Sequence, residues 1–218
     1  MKDAFMCDPS LKRSVEQLSS SDILVDCRAI LPGDETALLE EEARSIPARV
    51  LGARRASGAA RVLGRQLLAR LGFTPCAIPK GASGAPVWPA GVVGSFAHDD
   101  AIAVAAVGRH RDISAVGIDV EPAEPLPADL WDLVVSPHEQ ASVANNACRG
   151  RLIFAAKEAV YKAVAALDGI LLDYRDIEVD LAARQAVLSG GRVIKLRYCV
   201  GTQLVVLAYV PGADAFSA

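Results

Sequence analysis

"ISAVGIDVEP", residues 113–122, decides how the chain is read. The run from Ile113 to Ile118 is apolar enough to be a buried strand, and Pro122 closes it. Side chains two apart on a strand share a face. Asp119 and Glu121 therefore aim together, while Ile118 and Val120 aim into a core. Two carboxylates on one face repel unless a cation lies between them or they share a proton. Oxygen ligation of this kind suits Mg2+, which takes a few carboxylates and keeps waters for a phosphate-bearing substrate. Taken alone, the pair reads more simply as a solvent-facing strand end before a proline turn.

"RLIFAAKEAVYKAVAAL", residues 151–167, changes that weighting. The segment is Ala-rich and free of breakers, so the pattern predicts a helix. Glu158 and Lys162 are four apart and share a face, with Lys157 one step around. An exposed pair of this spacing contributes only ~0.2–0.5 kcal/mol. The flanking residues, however, are nearly all small or apolar, so the helix is expected to be mostly buried. Buried charges need partners. Asp119, Glu121 and Glu158 then form a three-carboxylate set for a metal, with Lys157 and Lys162 beside it to face phosphate.

The 218 residues suffice for one large domain or two small halves. Hydrophobic residues make up 52% and charged residues 22%, which is the balance of a globular protein. A net charge of −3 argues against general nucleic-acid binding, which needs a basic face against phosphates. No apolar run approaches the ~18–20 residues that a membrane-spanning helix requires. The opening "MKDAFMCDPSLKRSVEQL" lacks the long apolar segment of a secretory signal, so a cytoplasmic location is expected. The five cysteines are scattered without a CxxC, supporting neither a zinc knuckle nor a disulfide framework.

Residues 22–31 read as a strand and 34–46 as a helix. Residues 57–72 follow helical spacing, with Ser57 as a possible N-cap and Gly72 as the stop. Residues 74–94 form a Pro- and Gly-rich loop. Residues 93–108 read as two strands turning at Asp99-Asp100. Ser136 and Glu139 predict a capping box ahead of a helix, and the four segments after residue 175 read as an antiparallel meander. Two α+β halves meeting near residue 110 is the expected picture.

"VGIDVEP" followed by "FAAKEAVYKA" resembles the signature pair of the 4′-phosphopantetheinyl transferases. "KGASGAPVWPAGVVGSFAHDD" (80–100) resembles the loop of the enterobactin- and surfactin-type branch. "RRASGAARVLGRQLLARLG" (54–72) is similar to the Arg-bearing helix ahead of that loop. The resemblance covers residues 54–166 in the family's order.

It implies an α+β fold of two similar subdomains with pseudo-twofold symmetry, residues 1–110 and 111–218, with coenzyme A in the cleft between them. It also implies a monomer; from charge and hydropathy, no membrane and no nucleic-acid partner is expected. The activity implied is transfer of the 4′-phosphopantetheine of coenzyme A to a serine of an acyl or peptidyl carrier protein, with release of adenosine 3′,5′-bisphosphate. The carriers would belong to siderophore, polyketide, nonribosomal-peptide or fatty-acid pathways.

Carried over, Asp119, Glu121 and Glu158 hold Mg2+ against the pyrophosphate, and Lys157 and Lys162 add positive charge there. Glu158 is the base for the carrier serine, directly or through a water. Lys80, His98 and Ser95 are expected on the coenzyme A phosphates. Arg61, with Arg54 or Arg55, is expected on the 3′-phosphate. Trp88 is expected to shape the loop. Two other readings stand beside this one: a homologue that binds coenzyme A without chemistry, and another Mg2+-dependent phosphotransferase. Against the latter, the chain has neither a P-loop nor a kinase motif set.

Overall fold

In the computed structural model, which describes residues 7–47, 50–143 and 146–212, the strand anticipated at 113–122 is β4 (Ile113–Pro122). Val116, Ile118 and Val120 of β4 enter one apolar cluster, whereas Ala115 joins another on the opposite face. From Ala115 onward, past an irregularity in pairing after Ile113, this is the alternation of a strand covered on both sides.

The chain folds as α+β, with two antiparallel sheets. β1 (Ile23–Ala29), β2 (Val92–His98) and β3 (Ile102–Arg109) form a three-stranded sheet in the order β1-β3-β2. β4 joins β5 (Ile177–Asp180), β6 (Gln185–Leu188), β7 (Val193–Val200) and β8 (Gln203–Pro211) in the order β4-β8-β7-β6-β5. The anticipated meander is β5–β8. The sheets face each other across Ile23, Val25, Val104 and Ala106 on one side and Ile118, Val120, Val205 and Leu207 on the other. One long helix covers the outside of each.

Around these lie α1 (Pro9–Glu16), α2 (Glu40–Ser45), α3 (Leu51–Arg70), α4 (Ala128–Val134), α5 (Pro137–Val143) and α6 (Ala147–Asp168). α3 covers the three-stranded sheet through Leu63 and Leu67, and α6 covers the five-stranded sheet through Ala155, Ala156, Ala159 and Ala163. The alanines let α6 lie very close to β4. A Cβ added at Gly117 would stand 1.9 Å from the Ala159 carbonyl oxygen. α1, which the sequence reading missed, sends Leu11 and Val15 into the cluster between the sheets, and the Arg197 guanidinium on β7 donates to the Leu18 carbonyl behind it.

Two expectations need correction. α3 begins at Leu51, so Ser57 lies inside the helix rather than at its cap. Residues 34–46 do not make one helix: a 3-10 turn (Asp34–Thr36) precedes the short α2. The cause is packing, because Gly58 brings α3 against the Asp34 carbonyl; a Cβ there would meet that oxygen at 1.8 Å.

The two halves repeat one order: strand, short helix, long helix, then a returning pair of strands. β1-β3-β2 matches β4-β8-β7, with the β5–β6 hairpin added in the second half. The same polar clasp recurs in each. Glu42 accepts from the Leu39 N–H at the start of α2, from Arg65 on α3 at 2.7 Å, and from the Ile78 N–H. Glu139 accepts from the Ser136 N–H at the start of α5 and from the Val179 N–H, and is ion-paired with Lys157 on α6 at 2.9 Å. Both carboxylates are fully buried and fully partnered, as buried charges must be.

Candidate active site

β4 and α6 bring the acids together. Because Ile118 and Val120 face the neighbouring sheet, Asp119 and Glu121 face α6. On α6, Arg151, Glu158 and Lys162 fall at intervals of seven and four, which is one helical face. Lys162 donates to Asp119 Oδ1 at 2.6 Å and to the Ile118 carbonyl at 3.1 Å. The Arg151 guanidinium donates to Glu121 Oε2 at 2.8 Å and to the Pro125 carbonyl at 3.0 Å. The Tyr174 hydroxyl donates to Glu158 Oε1 at 2.5 Å.

Asp119 is nearly buried, and its Oδ2 has no hydrogen-bond partner. Burial pushes its carboxyl up to about 6 against the pull of Lys162, and the nearby Glu121 and Glu158 add to the rise. Such an orphaned carboxylate oxygen, flanked by two further acids, fits a hard divalent cation. As they stand, though, the three acids do not converge: no group of three His, Cys, Asp or Glu among the described residues is already spaced to hold a metal.

A cleft of about 650 Å3 runs between the halves. Its walls are the loop at Ser83–Pro86, Trp88, β2 from Val92 to Phe96, β4 from Ser114 to Val116, and Tyr161, Lys162 and Ala165 of α6. Tyr161 also borders a smaller cavity of about 220 Å3 that contains Glu158 and Tyr174. Lys162 thus stands where cleft and acids meet. Trp88 packs on Phe96 with ring centroids 4.8 Å apart, which supports its role in shaping the loop.

The remaining predicted residues are placed as follows. Ser95 is buried on β2, and its hydroxyl accepts from the Ile118 N–H at 3.1 Å, tying the two sheets beside Asp119. Lys80 and His98 are exposed. Arg54 donates to the Glu35 carbonyl, and Arg55 donates to the Glu35 carboxylate at 2.8 Å, whose hydrogen bond holds that carboxyl down at about 2. Arg61 is buried against the Ile78 carbonyl and lies 5.1 Å over the Phe96 ring. No hydrogen bond among the described residues joins these arginines, Lys80 or His98 to the three acids.

Lys157 departs from expectation. Its side chain is 1% exposed; the ammonium donates to the Val134 and Tyr174 carbonyls and forms an ion pair with Glu139 at 2.9 Å. Adjacent helical residues diverge by about 100°, so Lys157 points into the scaffold while Glu158 points to the site. Arg151 and Tyr174 were missed by the sequence reading. Arg151 carried a signal, lying seven residues before Glu158, whereas Tyr174 lies beyond the helix and carried none.

The comparisons agree with this architecture. Residues 40–108 match the family model "4′-phosphopantetheinyl transferase N-terminal domain", and residues 115–209 match "4′-phosphopantetheinyl transferase superfamily". The chain belongs to the 4′-phosphopantetheinyl transferase superfamily and is an enzyme of that kind. It is 37% identical over 211 residues to the 4′-phosphopantetheinyl transferase Svp of Streptomyces mobaraensis, covering 86% of this chain and 84% of that protein. It is 34% identical to PptT of Mycobacterium tuberculosis, covering 83% and 79%, and 40% identical to Npt of Nocardia iowensis over 61% of each chain. A solved holo-[acyl-carrier-protein] synthase from Thermotoga maritima shares 20% identity over 46% of this chain at a TM-score of 0.36, too slight a likeness to argue from.

Proposed function

We propose that this enzyme transfers 4′-phosphopantetheine from coenzyme A to a serine of an acyl or peptidyl carrier protein, with Mg2+ held by Asp119, Glu121 and Glu158. The observation that carries the metal assignment is the buried, unpartnered Oδ2 of Asp119 between two further acids. In this reading residues 111–218 supply the metal site. Residues 1–110 supply Arg54, Arg55, Arg61, Lys80, Ser95 and His98 toward the phosphates of coenzyme A, which lies in the cleft between the halves.

The carrier serine Oγ attacks the phosphorus that bears the pantetheine arm. The bond from that phosphorus to the bridging oxygen breaks, and adenosine 3′,5′-bisphosphate leaves with the electron pair. When bound, Mg2+ supplies neutralisation of the charge that builds on the pyrophosphate. Glu158 takes the serine proton as general base. Lys162, at the rim of the cleft, fixes Asp119 and adds positive charge beside the departing phosphate. Lys157 acts from behind the site, by holding the Tyr174 backbone.

Incubation with coenzyme A, Mg2+ and a panel of apo carrier proteins should add one phosphopantetheine to at least one carrier, seen by mass spectrometry. Glu158→Gln and Asp119→Asn should abolish that gain while keeping the fold. No gain on any carrier, or near-normal turnover by either variant, would overturn the reading.

A further inference from the structure

The three acids share a feature beyond their proximity. Each has one oxygen held by a donor and the other left over. Asp119 Oδ1 accepts from Lys162, Glu121 Oε2 from Arg151 and Glu158 Oε1 from Tyr174. Asp119 Oδ2, Glu121 Oε1 and Glu158 Oε2 accept no hydrogen bond among the described residues. The donors are themselves anchored. Arg151 reaches Glu121 with one guanidinium nitrogen and the Pro125 carbonyl with the other, a planar fork of fixed geometry. Tyr174 packs on Phe154 with ring centroids 5.8 Å apart, and its own carbonyl accepts from the buried Lys157.

We propose that Arg151 and Tyr174 are positioning residues: each pins one carboxylate oxygen, of Glu121 and Glu158 respectively, and leaves the other for a divalent cation. The proposal rests on the metal reading above. Outer donors of this kind fix the orientation of a ligating carboxylate, and losing one costs about 10–100-fold in metal affinity. Arg151 also sets the charge of the site. Three acids against Lys162 and Arg151 leave one net negative charge, so the site attracts a divalent cation without accumulating three uncompensated carboxylates.

The test is a Mn2+ titration followed by electron paramagnetic resonance of the free ion, with coenzyme A present and no carrier protein, so that nothing turns over. Wild type, Tyr174→Phe, Arg151→Lys and Glu158→Gln are compared, and thermal melts are run beside them. Tyr174→Phe removes only the hydroxyl, and Arg151→Lys keeps the charge but loses the fork. Both should bind Mn2+ about 10–100-fold more weakly. In the transfer assay both should recover most of the wild-type kcat at saturating metal, a recovery that a folding defect would not give.

If wild type fails to bind Mn2+, or Glu158→Gln binds it as wild type does, the metal reading falls. If Glu158→Gln loses the ion while Tyr174→Phe and Arg151→Lys bind like wild type, the metal reading stands and the positioning roles fall. Losses that saturating Mn2+ does not restore also overturn the positioning roles.

Discussion

Replacing Lys157 by Met separates scaffold from chemistry at the most conspicuous motif in the chain. The substitution removes the partner of Glu139, whose side chain has no solvent exposure. Removing one member of a buried pair costs about 3–5 kcal/mol, because the other charge is stranded. Glu139 keeps the N–H groups of Ser136 and Val179, so the lower end, about 3 kcal/mol, is expected. For a chain of this size each kcal/mol moves Tm by about 2–4 °C, so Lys157→Met should melt roughly 6–12 °C below wild type. Adding Glu139→Gln should recover part of the loss, since the stranded charge is then gone. Calorimetric unfolding reads both effects, and coenzyme A binding by Lys157→Met, measured well below the melt, should match wild type. A Lys157→Met protein that melts with wild type but loses coenzyme A would refute the argument and return Lys157 to the phosphates.

Gly117→Ala should act on the site from the strand: its Cβ would meet the Ala159 carbonyl at 1.9 Å and the Ala163 N–H at 2.7 Å. It should cost at least the ~1–3 kcal/mol typical of overpacking and weaken Mn2+ binding as α6 moves off Asp119, whereas unchanged melting would show that α6 yields freely. Asp119 binds its proton more tightly folded, at about 6, than its ordinary 3.8. Its contribution to the stability of the metal-free protein should therefore fall as pH rises from about 4 to about 6, by on the order of 3 kcal/mol. Asp119→Asn should lack that fall and melt above metal-free wild type at pH 7; parallel pH profiles would contradict this. The Cys7 and Cys27 sulfurs lie 3.4 Å apart, so a disulfide oxidant should remove two titratable thiols and raise Tm by several degrees through closure of the 20-residue loop. A Cys7→Ser protein that gains the same stability on oxidation would rule that pair out.

The parts of the site built on regular elements were legible in the sequence. Alternation on β4 fixed the side to which Asp119 and Glu121 point, and the Ala-rich pattern of α6 showed that Glu158 and Lys162 lie on a buried helix. What failed had its cause elsewhere in the chain. Ser57 carries a cap signal, but Gly58 takes its place in α3 through the carbonyl of Asp34, more than 20 residues away. α1 is short, and its apolar residues Leu11 and Val15 gain meaning only in the cluster between the sheets, which joins Ile23 and Val25 to Val205 and Leu207 from the other end of the sequence. Lys157 looked like part of the site because it adjoins Glu158 in the chain; the partners that claim it, Glu139 and Tyr174, come from segments no spacing rule connects.

The repetition of the fold gives the molecule an internal control. Arg65, Gln66 and Arg70 on α3 carry the spacing of Lys157, Glu158 and Lys162 on α6, and Asp26-Cys27-Arg28 on β1 stands where Asp119-Val120-Glu121 stands on β4. Arg65 meets Glu42 as Lys157 meets Glu139, and Arg70 meets Asp26 as Lys162 meets Asp119. Subtracting one half from the other leaves Glu121 against Arg28 and Glu158 against Gln66. The ion pairs are common to both halves, and the two glutamates are what the second half adds to them.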